Sequence, residues 1–223
     1  MKPLADDTIL ILTGVPCIGK TTVAYQIIRQ FPFFRRVIEM DTVSDTVRAT
    51  LNNLTDDKLL RKDIVDGEYS ALFESITIRD LNVTKSQAQK LLPYVKALIL
   101  RQQKRKLPTI IEGAEIIPEQ FFPDKKPLKW LNENVIFINL YISNEKEQRK
   151  RRNNRYLERK YPSEYDEIIK QESLVIKEKN LALHAETLSL SKVCPNVFSV
   201  DISDLSPEKL AERILQIVEN YFS

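Results

Sequence analysis

Five short apolar runs, at positions 8–13, 37–40, 109–111, 135–141 and 197–200, alternate with longer stretches whose apolar residues return every three or four positions. The runs show little polar alternation, so each reads as a strand buried on both faces, and the intervening period reads as covering helices. Val23, Ala24, Ile27, Ile28 and Phe31 form one helical stripe, stopped by Pro32. Val43, Val47, Leu51 and Leu54 mark a second. Thr84 with Gln87 reads as a capping box ahead of Ala88, Leu91, Leu92, Val95, Leu98 and Ile99, a helix that Pro93 should kink. The last stripe, Leu210, Ile214, Ile217 and Tyr221, follows Ser206 as cap and Pro207 in the first turn. Residues 56–82 lack a strong period and read as short helices, and Pro118, Pro123 and Pro127 mark an irregular excursion. The pattern predicts an α/β fold around a parallel sheet with helices on both faces.

Between the first run and the first stripe stands Gly14-Val15-Pro16-Cys17-Ile18-Gly19-Lys20-Thr21, the spacing G-x-x-x-x-G-K-T, followed by Thr22. Glycines at these places let the backbone curl so that successive N–H groups point inward at a phosphate chain, with a helix N-terminus behind them. The chain has only four glycines, and two of them are here. Residues 14–22 are therefore expected to hold nucleotide phosphates. Lys20 would reach the β and γ phosphates, and the Thr21 hydroxyl would join the coordination of a magnesium ion. A thiol at Cys17, beside Lys20 and inward-pointing amides, would have its thiolate form favoured and would be shielded by bound nucleotide.

Length and charge narrow the field further. A chain of 223 residues with 43% apolar content can bury the core of one domain, here expected to span 1–223. A net charge of +3 from 34 basic and 31 acidic residues gives no global nucleic-acid signature, so no long nucleic-acid partner is expected. Cys17 and Cys194 make no disulfide framework, and no zinc-ligand cluster is visible. No signal peptide or membrane span is read, and a cytoplasmic location is the expectation. The single histidine, His184, reads as a packing or helix-surface residue. Oligomeric state is not legible.

In open parallel sheets, ligands sit at the carboxyl ends of the strands. Asp41 stands at the end of the second run and Glu112 at the end of the third, both facing the phosphate loop by this rule. Either carboxylate can hold magnesium through water or accept a proton from an acceptor hydroxyl, or simply cap the following helix. Asp45 and Arg48 follow Asp41 at helical spacing, and Gly113 after Glu112 suggests a close backbone approach or a sharp turn, so that residues 110–118 read either as a substrate wall or as a simple strand-to-loop exit. After the fourth run, eight of the sixteen residues 145–160 are Lys or Arg. Arg151, Arg155 and Arg159 share one helical face, and Arg149 and Arg152 another. A mobile lid at 143–165 would deliver such arginines to phosphates in transfer, while residues 41–107 would supply acceptor-side helices.

The order GVPCIGKTT, VIEMDTVSDTVRATL, TIIEGAEIIP and then the arginine-rich stretch running into RYLERKYPSEYDEIIKQESLVI resembles the 2-phosphoglycerate kinase-like group of P-loop kinases. The resemblance implies a nucleoside monophosphate kinase-like fold with five parallel strands in the order 2-3-1-4-5. It also implies ATP- and Mg2+-dependent phosphoryl transfer to a small acceptor, 2-phosphoglycerate or a related phosphorylated or carboxylated metabolite. Catalytic roles would fall to Lys20, Asp41, Arg149 and Arg152, with the acceptor near Asp41, Asp45, Arg48, Glu112 and Glu115. This chain departs from the group's pattern at Cys17, where glycine is common, and at Glu115 and Gln148, where histidine is common. Two alternatives stay open: a nucleotide or nucleoside kinase on the same fold, and a non-catalytic nucleotide-binding module. A guanine-specific switch would carry N-K-x-D, which this chain lacks.

Overall fold

The computed structural model describes residues 4–54, 81–159 and 166–223. Gly67 and most of the short helices expected over 56–82 lie outside the described residues. Five strands, β1 (Ile9–Thr13), β2 (Arg36–Glu39), β3 (Thr109–Glu112), β4 (Val135–Tyr141) and β5 (Val197–Asp201), form one sheet in the order β2-β3-β1-β4-β5. Every neighbouring pair is parallel, with Leu12 opposite both Glu112 and Ile138, and Glu39 opposite Glu112. This is the expected order, and each strand falls on one of the five apolar runs.

Alternate side chains serve opposite faces. Leu10, Leu12, Ile110, Ile136 and Ile138 join a cluster with Val23, Ala24 and Ile27 of α1 (Lys20–Gln30). The same cluster takes in Leu210, Ile214 and Val218 of α6 (Pro207–Phe222). Ile9, Ile11, Ile111 and Phe137 pack instead with Val95 and Ile99 of α3 (Leu81–Lys104) and Leu190 of α5 (Asp166–Ser191). Two helices remain, α2 (Met40–Leu54) directly after β2 and α4 (Glu145–Arg159) after β4. Ser206 accepts from the Lys209 amide, the expected cap of α6, an interaction of about 1 kcal/mol.

One expectation is corrected. Thr84 is not an N-cap: α3 already includes Leu81, and Thr84 is buried within it, because the apolar stripe extends back past the capping-box residues. Pro93 does not interrupt α3, which is continuous as helix from Leu81 to Lys104. The proline-rich excursion is two 3-10 turns, Pro118–Phe121 and Pro123–Lys125, pinned by Phe121 and Phe122 against Phe137. Among the described residues no helix is long and apolar enough to cross a membrane.

Candidate active site

The loop between β1 and α1 owes its shape to three left-handed residues. Gly14 has φ +139°, and a Cβ there would overlap the carbonyl oxygen of Leu140, so no side chain fits. Gly19 has φ +93° at the N-terminus of α1. Cys17, at φ +63°, occupies the same region without being glycine, at a cost of about 1 kcal/mol. That conformation explains why glycine suits this place in related loops.

No side chain caps α1 and no acid stands in its first turn, so the Lys20, Thr21 and Thr22 amides have no capping side chain and the positive end of the helix is not neutralised. Gly19, Thr21 and Thr22 are exposed, whereas the Lys20 side chain folds back, its Nζ donating to Gly14 O at 3.2 Å and Val15 O at 3.1 Å. An anionic chain laid across the loop fits this set: first-turn amides with no capping side chain, and a lysine whose hydrogen bonds go to its own loop's carbonyls.

Glu112 ends β3 at 5% exposure, and its Oε1 accepts from Thr21 Oγ1 at 2.7 Å. Burial raises its carboxyl above the ordinary glutamate range; Lys20 and the Thr21 hydrogen bond oppose the rise, while Asp41 and Glu39 add to it. Glu39 accepts from the Tyr25 hydroxyl at 2.9 Å. Glu112 with Glu39 and Asp41 thus makes a negative potential beside the Thr21 hydroxyl, a setting that a magnesium ion would relieve. No group of three or more potential metal ligands occurs among the described residues. The Thr21 hydroxyl and the Glu112 carboxylate are oxygen donors of the kind magnesium takes.

Asp41 and Asp45 lie exposed on α2, and the Arg48 side chain is outside the described residues. Gly113 meets Met40, whose Cβ lies 2.6 Å from where a glycine Cβ would stand, so the close approach expected there is present. Glu115 Oε2 lies 3.4 Å from the same point. The wall is tied back by Thr13, whose hydroxyl donates to Ile116 O.

The arginines of α4 divide into three kinds. Arg149 is 67% exposed and pairs with Glu145 at 3.5 Å. Arg151 is spent inside the protein: Nε donates to Glu147 at 2.8 Å, Nη1 to Ile18 O at 3.4 Å and Nη2 to Ile202 O at 3.3 Å. Arg152 is 4% exposed, makes no ion pair among the described residues, and its buried Nε has no hydrogen-bond partner. One turn earlier, Gln148 Nε2 is likewise buried without a partner. A buried N–H lacking an acceptor is costly unless a ligand supplies one.

Arg151 and Arg155 also line a cavity of about 540 Å³ with Cys17, Ile18, Gly19 and Thr22 on one side and Leu205, Pro207 and Leu210 on the other. Its size suits a nucleoside. Sequence reasoning named Arg151 and Arg155 as one face but did not place them here; the signal was their four-residue spacing. It missed Glu39, Ile202 and Asn180. Asn180 clamps the backbone ahead of α4, its Nδ2 donating to Ile142 O at 2.8 Å and its Oδ1 accepting from Ile142 N at 3.2 Å. His184 stacks on Tyr141 and bonds Ser199 at 2.8 Å, a packing role in which burial lowers its pKa against the opposing pull of Asp201.

The chain matches no protein-family model and no curated protein. Among solved structures it is similar to shikimate kinase from Acinetobacter baumannii in complex with shikimate, at 15% identity and TM-score 0.51, over 96% of this chain and 93% of that one. It is also similar to TT1252 from Thermus thermophilus, at 14% identity and TM-score 0.49, over 97% of this chain and 98% of that one. At such identities the likeness concerns the fold. With five parallel strands in the order 2-3-1-4-5 and a glycine loop between β1 and α1, the chain has the nucleoside monophosphate kinase-like P-loop fold.

Proposed function

We propose that this protein is an ATP-dependent phosphotransferase whose acceptor is a small anionic metabolite, 2-phosphoglycerate or a related phosphorylated or carboxylated hydroxy compound. The observation that carries the reading is the group at the carboxyl edge of β1 and β3: buried Lys20, and Thr21 bonded to buried Glu112, beneath first-turn amides with no capping side chain. The resemblance in segment order adds the acceptor class, and the fold of shikimate kinase shows a small hydroxy acid accommodated on this architecture.

In this mechanism the amides of residues 14–22 bind the triphosphate, and Lys20 exchanges its two loop carbonyls for β and γ phosphate oxygens. Thr21 and Glu112 would hold magnesium, which would offset phosphate charge. The base lies toward the cavity between the loop and Leu205. Asp41 orients the acceptor hydroxyl and takes its proton as that oxygen bonds to the γ phosphorus and the bond to the ADP oxygen breaks. Arg152 supplies the unspent positive charge for the transferring group or the acceptor's anionic group. No covalent protein intermediate is needed, because positioning and electrostatics carry the step.

The test is magnesium-dependent ADP release from ATP plus 2-phosphoglycerate, with phosphorus NMR of the products and Lys20→Ala as control. A new phosphoester resonance, lost in the variant, is the expected result. Release stimulated by a nucleoside or nucleotide and not by the hydroxy acid would transfer the proposal to that acceptor. Tight nucleotide binding with no transfer to any member of an acceptor panel would replace it with a binding module.

A further inference from the structure

Helix α5 is apolar on two opposite sides. Ile176, Leu183, Thr187 and Leu190 are buried on its inner side, while Leu174, Leu181 and Leu188 stand 60%, 51% and 43% exposed on the other. The leucines are seven residues apart, and Glu178, Ala185 and Lys192 fall between and after them, all exposed. At 3.6 residues per turn the five of these positions within α5 occupy an arc of about 80° along roughly 21 Å, opposite the buried set, and Lys192 follows in the turn just past the helix end. An a/d seam of this kind is the surface that a second helix covers. Solitary exposed leucines need no explanation, but three in heptad register on one helix do.

We infer that α5 pairs antiparallel with α5 of a second copy of this chain, forming a two-fold symmetric dimer. Charge selects the partner and the direction. Glu178 and Lys192 make no ion pair among the described residues, Glu178 standing in the first half of the seam and Lys192 in the turn just past its end. A parallel pair would set Glu178 against Glu178 and Lys192 against Lys192. In the antiparallel pair, with the axis level with Leu183, Leu181 packs on Ala185 of the second copy and Glu178 lies beside Leu188 of the second copy. Lys192 of the second copy then lies one layer away, within reach of the Glu178 carboxylate, and symmetry repeats the contact at the far end. The alanine lets the helices approach where the axis crosses. Such an interface is isologous and closes at two copies. It lies at the small end of specific interfaces, so the dimer is concentration-dependent.

The same helix carries Asn180 on its inner side, which clamps Ile142, and Lys177 at the flank of the exposed face, which pairs with Glu145 at 2.8 Å. The proposed pairing would hold α5 as a fixed platform for the start of α4. It stands independently of the phosphotransferase reading.

Sedimentation equilibrium of the full chain across a dilution series tests it. The expected result is a monomer–dimer equilibrium that shifts to monomer in Leu181→Glu, with the circular dichroism spectrum unchanged. Glu178→Lys and Lys192→Glu, both exposed and harmless to the fold, should each weaken the dimer several-fold, and the double variant should restore it. A wild-type chain monomeric throughout would overturn the inference, and so would a dimer indifferent to Leu181→Glu or charge variants whose effects simply add.

Discussion

The phosphate loop and helix α4 present positive groups to one cleft and are built in opposite ways. In the loop, charge is organised by backbone: left-handed Gly14, Cys17 and Gly19 aim amides, and Lys20 rests on its own carbonyls. On α4, neighbouring arginines of identical chemistry have unlike fates, Arg149 paired at the surface, Arg151 locked to Ile18 and Ile202, Arg152 buried with its Nε unpartnered among the described residues. A backbone device works wherever its spacing occurs, whereas an arginine's role is set by whatever distant segment faces it.

The largest effect is expected in the loop. Lys20→Ala should lower turnover by ~100-fold or more while the melting temperature stays near wild type, measured by coupled ADP release and calorimetry. The three arginines then sharpen the contrast. Arg152→Ala should cost ~100-fold in turnover, unrepaired by lysine, because a point charge does not replace the guanidinium fork. Arg149→Ala should stay within about twofold, its partner being an exposed surface pair. Equal losses at both positions would erase the distinction between them. Arg151→Ala should act between these limits, raising the KM for ATP by releasing Ile18 and Ile202.

Glu112 offers a prediction in which stability and activity part. Its folded-state carboxyl is raised by burial, so the folded chain holds the proton more tightly than the unfolded one. Its stabilising contribution is therefore present below the unfolded value of about 4.3 and is lost as pH rises through the raised folded value. Glu112→Gln removes that loss. Its melting temperature at neutral pH should equal or exceed wild type and vary less between acid and neutral pH, while magnesium-dependent turnover falls. A variant less stable than wild type at neutral pH would contradict the sign.

The smallest effect concerns Cys17, which lines the cavity between the loop and α6. Alkylation followed by mass spectrometry should slow in the presence of Mg-ATP. Equal rates with and without nucleotide would place the base elsewhere.

The five strands were legible because buried parallel strands leave continuous apolar runs, their order only through the resemblance in segment order, and the glycine loop because its spacing encodes its conformation. Thr84 misled because a capping box is a local signal that a longer helix overrides by burying it. The bond from Thr21 to Glu112 joins residues 91 positions apart, and only the register of β3 beside β1 brings them together. The arginines were visible as a group but not as individuals, since Ile18, Ile202 and Glu147, which sort them, carry no mark of doing so in the sequence.

The most direct measurement is calorimetric titration of Mg-ATP into the wild-type chain and into Lys20→Ala. The account predicts saturable one-site binding that requires magnesium and weakens by about tenfold or more in the variant, the loss of one charge-assisted contact. Binding that is absent in the wild type, or identical in the two proteins, would contradict the assignment of residues 14–22 as the phosphate site.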